Sequence, residues 1–188
     1  SISVVAASST IDASYLAQGE ILFNGYVPDR QWTGTELSAV DTWIQNGGIL
    51  ISTNDSAGQN DLASFYGLTI GGTANSTWHV ADDTSPIMNG PFGLVGTNGS
   101  SFSAVGTISY FNSASLAVGD QVLAVDSASG QPTMVLRQHG SGWILFTDDE
   151  GIFRSNMTGG GTVATANDRL VANIFAWAAN QVPGTSSY

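Results

Sequence analysis

GGILISTND, residues 47–55, and GWILFTDDE, residues 142–150, decide the fold class. Each passes from a glycine turn through a short apolar run to a polar tip. Apolar runs of this length suit strands buried on both faces. In an open α/β sheet, ligands gather beyond the carboxyl ends of such strands. The tips therefore mark where a site belongs. One carries Asn54 and Asp55, the other Asp148, Asp149 and Glu150.

The segments before and between these runs alternate strand and helix. Residues 2–7 (ISVVAA) and 20–23 (EILF) predict two further strands. TGTELSAVDTWIQNGG, from Thr33, predicts a helix. Thr33 and Glu36 have capping-box spacing, in which each side chain satisfies a free backbone N–H. Leu37, Val40 and Ile44, with Trp43 beside them, recur at helical spacing, and Asn46-Gly47 supplies the stop. A short helix is expected over residues 61–66, then a brief strand at 68–70.

Pattern weakens between residues 73 and 130. Short β-like runs at 78–80, 106–111 and 121–125 predict a β-rich insertion, and PIMNGPFG at 86–93 excludes regular helix. Residues 133–137 and 143–147 flank Gly140 to Gly142 as in a hairpin. After a glycine-rich loop, Asn167 is expected to cap a last helix over residues 168–180. Its apolar face holds Leu170, Val171, Ile174, Phe175, Trp177 and Ala178, and Asp168 in the first turn suits the helix dipole. The organisation expected is one α/β domain over residues 1–182 with a tail at 183–188. Helices following near-continuous apolar strands predict a mostly parallel sheet covered on both faces.

A chain of 188 residues, 42% hydrophobic, can bury a sizeable core. No apolar run approaches the roughly 18 residues of a membrane span. Fifteen acidic residues face four arginines and no lysine, giving a net charge of −11. That balance argues against nucleic acid and against anionic membrane surfaces as partners. It suits solubility, or cations. The absence of cysteine excludes disulfides, thiolate nucleophiles and zinc–sulfur sites. With lysine also missing and Ser, Thr, Gly and Asn abundant, an extracellular or cell-surface location is expected. A start at Ser1 suggests processing or trimming.

Taken in order, the helix from Thr33, GGILIST, DLASFYGL, SPIMNGPFG, GWILFTDDEGIF and NDRLVANIFAWA resemble the class I glutamine amidotransferase-like superfamily over roughly residues 20–180. Within it, the likeness is to ThuA-like and related non-amidotransferase branches. The resemblance implies a flavodoxin-like, three-layer α/β sandwich. In catalytic members a cysteine follows the strand matched here by residues 49–53. This chain has Asn54-Asp55-Ser56 there, so the Cys-His-Glu triad of the superfamily has no nucleophile to carry over.

Each candidate site residue has a structural alternative. Asp148, Asp149 and Glu150 offer oxygen ligands for calcium, yet lack the spacing of an EF-hand loop. Alternatively they accept backbone N–H bonds or pair with Arg154. Asn54 and Asp55 bind a sugar hydroxyl or form an Asx-turn. Trp78 and His79, near Asp82 and Asp83, form the second candidate ligand site, with Trp32 the other tryptophan left free by the helical patterns. His79 and His139, the two histidines, are candidate general bases for Ser56 or Ser155, though no G-x-S-x-G elbow exposes a serine. Gly159 to Gly161 lack the lysine of a phosphate loop.

The function expected is non-catalytic: an extracellular binding or assembly domain on an amidotransferase-like scaffold. Protein partners, self-association or a polysaccharide would engage it. Phe92, Phe102, Tyr110 and Phe111 are candidate contacts. The alternatives are a hydrolase of a carbohydrate or other polar substrate, and a calcium-dependent adhesion module.

Overall fold

A computed structural model of the chain describes residues 4–6, 8, 10–25, 30–54, 60–104, 108–154 and 161–182. The elements run α1 (Ala13–Leu16), β1 (Ile21–Asn24), α2 (Gly34–Gln45), β2 (Ile49–Thr53), α3 (Asn60–Phe65), β3 (Ile70–Ala74) and β4 (Thr77–Val80). They continue with β5 (Asn89–Gly90), β6 (Gly93–Leu94), β7 (Ser101–Ser103), β8 (Ile108–Phe111), β9 (Gln121–Asp126), β10 (Pro132–His139), β11 (Gly142–Thr147) and α4 (Ala166–Gln181). Short 3₁₀ turns cover Ser113–Ser115 and Gly151–Phe153.

Seven strands form the central sheet in the order β1-β2-β11-β10-β9-β4-β7. The runs that open the sequence are neighbours, paired in parallel from Trp143↔Ile49 to Thr147↔Thr53. β1 joins the other side of β2, also in parallel. The remaining pairings are antiparallel, so the sheet is mixed where the sequence predicts a mostly parallel one. The connections explain the difference. A parallel crossover needs a dozen or more residues. β10 reaches β11 through Gly140-Ser141 alone, and β9 reaches β10 through a tight turn closed by Gly130 N–H donating to Asp126 O. The expected insertion is β-rich, and its β4, β7 and β9 are strands of the central sheet.

Alternation along β2 assigns the layers. Ile49 and Ile51 pack in the cluster that holds Leu170, Ile174 and Trp177 of α4. Leu50 packs in the other cluster, with Val40 and Ile44 of α2, Leu62 of α3, and Phe111 of the small β3–β8 ribbon. Helices thus cover both faces, as β-strand periodicity requires when every residue of β2 is buried.

The capping box at Thr33 and Glu36 forms as expected. The last helix starts earlier than predicted, because Thr165 caps it in a box with Asp168. Asn167 has a different task, donating from Nδ2 to Ser103 O at 2.8 Å. Of the strand predicted at 2–7, residues 4–6 are in no strand and the others lie outside the described residues. The tail at 183–188 also lies outside them.

Candidate functional site

β1, β2 and β11 end side by side, and their C-terminal residues are polar and buried: Asn24, Ser52, Thr53, Asn54, Thr147, Asp148, Asp149 and Glu150. Asp55 and Ser56 lie outside the described residues. Asn54 fastens two tips together. Its N–H and its Nδ2 both donate to Thr147 O, at 3.0 and 3.2 Å, and Nδ2 also donates to Ser52 O at 3.1 Å. Thr53 Oγ1 donates to Asn24 O at 3.0 Å, fastening β2 to β1.

The three acids face separate tasks. Asp148 N–H donates to Thr133 O at 2.9 Å, extending the β10–β11 pairing, and Ser109 Oγ donates to Asp148 Oδ1 at 3.3 Å. Asp149 Oδ1 accepts the N–H of Gly151 at 2.6 Å and shapes the 3₁₀ turn. Glu150 forms an ion pair with Arg154, one helical turn on. These are the turn and ion-pair roles that compete with calcium in the sequence. Among the described residues, no three carboxylate or imidazole groups come together to hold a metal.

Neither histidine joins these acids. His139 pairs with Gly142 at the start of β11. Thr147, at the end of that strand, is about 17 Å away at 3.4 Å per residue. His79 lies on β4, which is separated from β11 by β9 and β10. Three strand spacings put it about 14 Å away. Trp78 is fully buried against Phe102, and Trp32 is buried beneath the Arg30 guanidinium, 4.3 Å from its ring. Both are core residues, so neither ring is presented to a ligand at the second candidate site. Phe102 and Phe111 are likewise core, whereas Phe92 is exposed.

A second polar cluster occupies the opposite end of the sheet. His139 Nε2 lies 2.8 Å from Asp41 Oδ1 on α2, and the Tyr66 ring meets the imidazole edge-on at 5.3 Å. Burial, with the Asp41 carboxylate alongside, pushes the Tyr66 phenol above its usual range. Arg137 grips both oxygens of Asp120 at 2.7 Å and donates to Tyr66 O at 2.6 Å. A shallow, largely apolar groove of about 330 Å³ between α1 and α2 is lined by Leu16, Ala39 and Trp43. It offers no catalytic group.

Sequence reasoning missed Asn24, Ser52 and Thr133. Ser52 Oγ, Thr133 Oγ1 and Asn24 Nδ2 are buried without a hydrogen-bond partner. The available signal was parity: Ser52 follows Leu50 by two, so a hydroxyl stands at an inward strand position.

Compared by sequence, the chain matches no protein-family model and no curated protein. Compared by structure, it is similar to a ThuA-like protein from Bacteroides uniformis (TM-score 0.61, 12% identity, 94% of this chain and 76% of that one). It is also similar to the N-terminal domain of IFT52 (TM-score 0.65, 12% identity, 90% and 81%). A third likeness, at TM-score 0.52 and 12% identity, is to a β-galactosidase from Bacillus circulans, covering 84% of this chain and 22% of that enzyme. At such identities the likeness is one of fold. It supports an α/β fold like that of the ThuA-like protein.

Proposed function

We propose that the chain is a non-catalytic extracellular binding or assembly domain on an amidotransferase-like scaffold. One observation carries the reading: at the strand tips, where the superfamily places its nucleophile, Asn54 is spent on joining β2 to β11. The neighbouring acids support it, since Asp149 and Glu150 shape a turn and an ion pair. So do the distant histidines, because acid–base catalysis needs its groups within hydrogen-bond reach. In the β-galactosidase and in IFT52 a similar fold is one part of a longer chain, which is consistent with an accessory role. The extracellular element rests on composition, with no cysteine or lysine in the sequence.

The test pairs sedimentation and pull-down from cell-envelope extracts with a screen of chromogenic glycosides and esters. Self-association or a captured envelope component is expected, with no turnover. Turnover that disappears in Asp148→Asn or His139→Ala would establish the hydrolase instead. A protein that stays monomeric and captures nothing would remove the assembly reading.

A further inference from the structure

β1 is an edge strand: β2 pairs with one side of it, and among the described residues no strand lies on the other. Glu20 O accepts the N–H of Ile49 at 3.0 Å. Backbone bonds alternate in side along a strand, so Leu22 faces β2 while Ile21 and Phe23 aim their N–H and C=O groups outward. The opposite edge strand, β7, is tied down, since Ser103 O accepts Asn167 Nδ2. Edge strands are commonly guarded by charge, proline or a bulge, and β1 has none of these. Phe23, edge-on to Phe153 at 4.9 Å and to Phe175 at 6.1 Å, is 41% exposed there.

Topology reserves this edge for a strand that precedes α1. α1 and α2 lie on one face of the sheet, with Leu16 in the same cluster as Val40 and Ile44. Crossovers between parallel strands are right-handed. α2 carries the chain from β1 inward to β2, so a strand that enters β1 by way of α1 falls on the outer side of β1. Val4, Val5 and Ala6 precede α1, and residues 7–20 are long enough for such a crossover. Yet these three residues are in no strand, and Val4 and Val5 are 92% and 39% exposed. We propose that the free edge of β1 receives the segment carrying Val4, Val5 and Ala6 from a second copy of this chain. Exchange of an identical element between copies is a low-cost route to a dimer. Charge agrees with this occupant. At a net charge of −11, copies repel one another except where the meeting surfaces hold no acid, and neither residues 21–24 nor residues 4–6 hold one. The adjacent valines suit a strand, and a strand laid on the edge covers Phe23. The inference rests on the reading of the chain as an assembly domain and names the surface and partner for it.

The experiment is sedimentation velocity on the whole chain and on Val5→Pro, which removes a backbone donor from residues that are in no strand and so leaves the fold intact. The parent is expected to dimerise, and Val5→Pro to do so about tenfold more weakly at an unchanged melting temperature. The chain has no cysteine, so introduced thiols are unique. A Val5→Cys chain mixed with a Phe23→Cys chain and a short bismaleimide is expected to give dimers that need both variants. A monomeric parent overturns the inference, as does a cross-link formed only within one chain carrying both cysteines. Self-association that Val5→Pro leaves unchanged also overturns it, while the assembly reading stands on another surface. A parent that is monomeric and captures no envelope component removes the assembly reading as well, so the two failures are distinguishable.

Discussion

Asn54 joins two parallel strand ends by giving both its N–H and its side-chain Nδ2 to one acceptor, Thr147 O, at 3.0 and 3.2 Å. Its Nδ2 also reaches Ser52 O. Asn54→Ala removes the side-chain bonds and is expected to cost about 1–2 kcal/mol. Asn54→Asp turns a carboxylate toward two carbonyl oxygens in a buried position, and is expected to cost more, about 3 kcal/mol. Thermal melts at neutral pH should rank parent above Ala above Asp. Acidification should narrow the gap between the last two as the new carboxyl gains a proton. Equal melting points for the three proteins would show that the strand tips are held by the backbone alone.

Glu36 predicts a pH dependence. Burial raises its pKa, but N–H bonds from Thr33 and Ile11, the Thr33 hydroxyl and the Arg30 charge outweigh that and hold it at about 2, against 4.5 for a free glutamate. Folding therefore favours the ionised form. Its contribution is complete above about pH 4.5 and is lost as pH falls toward 2. In Glu36→Gln the melting temperature is expected to be lower at pH 7, and its decline between these two values shallower, as followed by circular dichroism. A parallel decline in both proteins would assign the acid sensitivity to other groups.

Arg137 and Asp120 bury a bidentate pair whose side chains are 10% and 1% exposed. Arg137 also holds the C-terminal end of the α3 segment through Tyr66 O. Removing one partner strands the other's charge, so Asp120→Ala should cost about 3–5 kcal/mol. Arg137→Met with Asp120→Ala should cost less than the sum of the single changes, because neither charge is left alone. A strictly additive double-mutant cycle in urea would show that the two groups do not couple.

The parts of the fold that the sequence predicts well are those with a local cause. The capping box at Thr33 and Glu36, the periodic face of α2 and the continuous burial of β2 each follow from residues within one element. Sheet order does not, since it depends on which edges meet. Even so, the hairpin around Gly140 already implied antiparallel pairing. The site was legible as a location and not as chemistry. Asp149 and Glu150 look like ligands in a string of acids, and only three dimensions turn one toward Gly151 N–H and the other toward Arg154. Trp78 fell in a weakly patterned stretch, so nothing nearby in the sequence announced that Phe102 buries it.

The glycines that head the two opening runs make a last prediction, because their surroundings differ in kind. A Cβ on Gly142 would lie 2.2 Å from both Gly48 O and Ile44 O, which are backbone atoms at the end of α2 and the turn into β2. A Cβ on Gly48 would lie 2.3 Å from the Trp43 ring, a half-buried side chain able to turn outward. The first clash can be relieved only by shifting α2 from the β2–β11 pair, the second by moving one ring. Gly142→Ala is expected to cost about 3 kcal/mol or more and Gly48→Ala about 1–2 kcal/mol, since overpacking is costlier where neighbours cannot give. Urea unfolding monitored by tryptophan fluorescence gives both values, and the Gly48 variant should also change the native spectrum through Trp43. The reverse order of cost would mean that the end of α2 yields more easily than the indole, and that close packing of α2 is not why these strands begin with glycine.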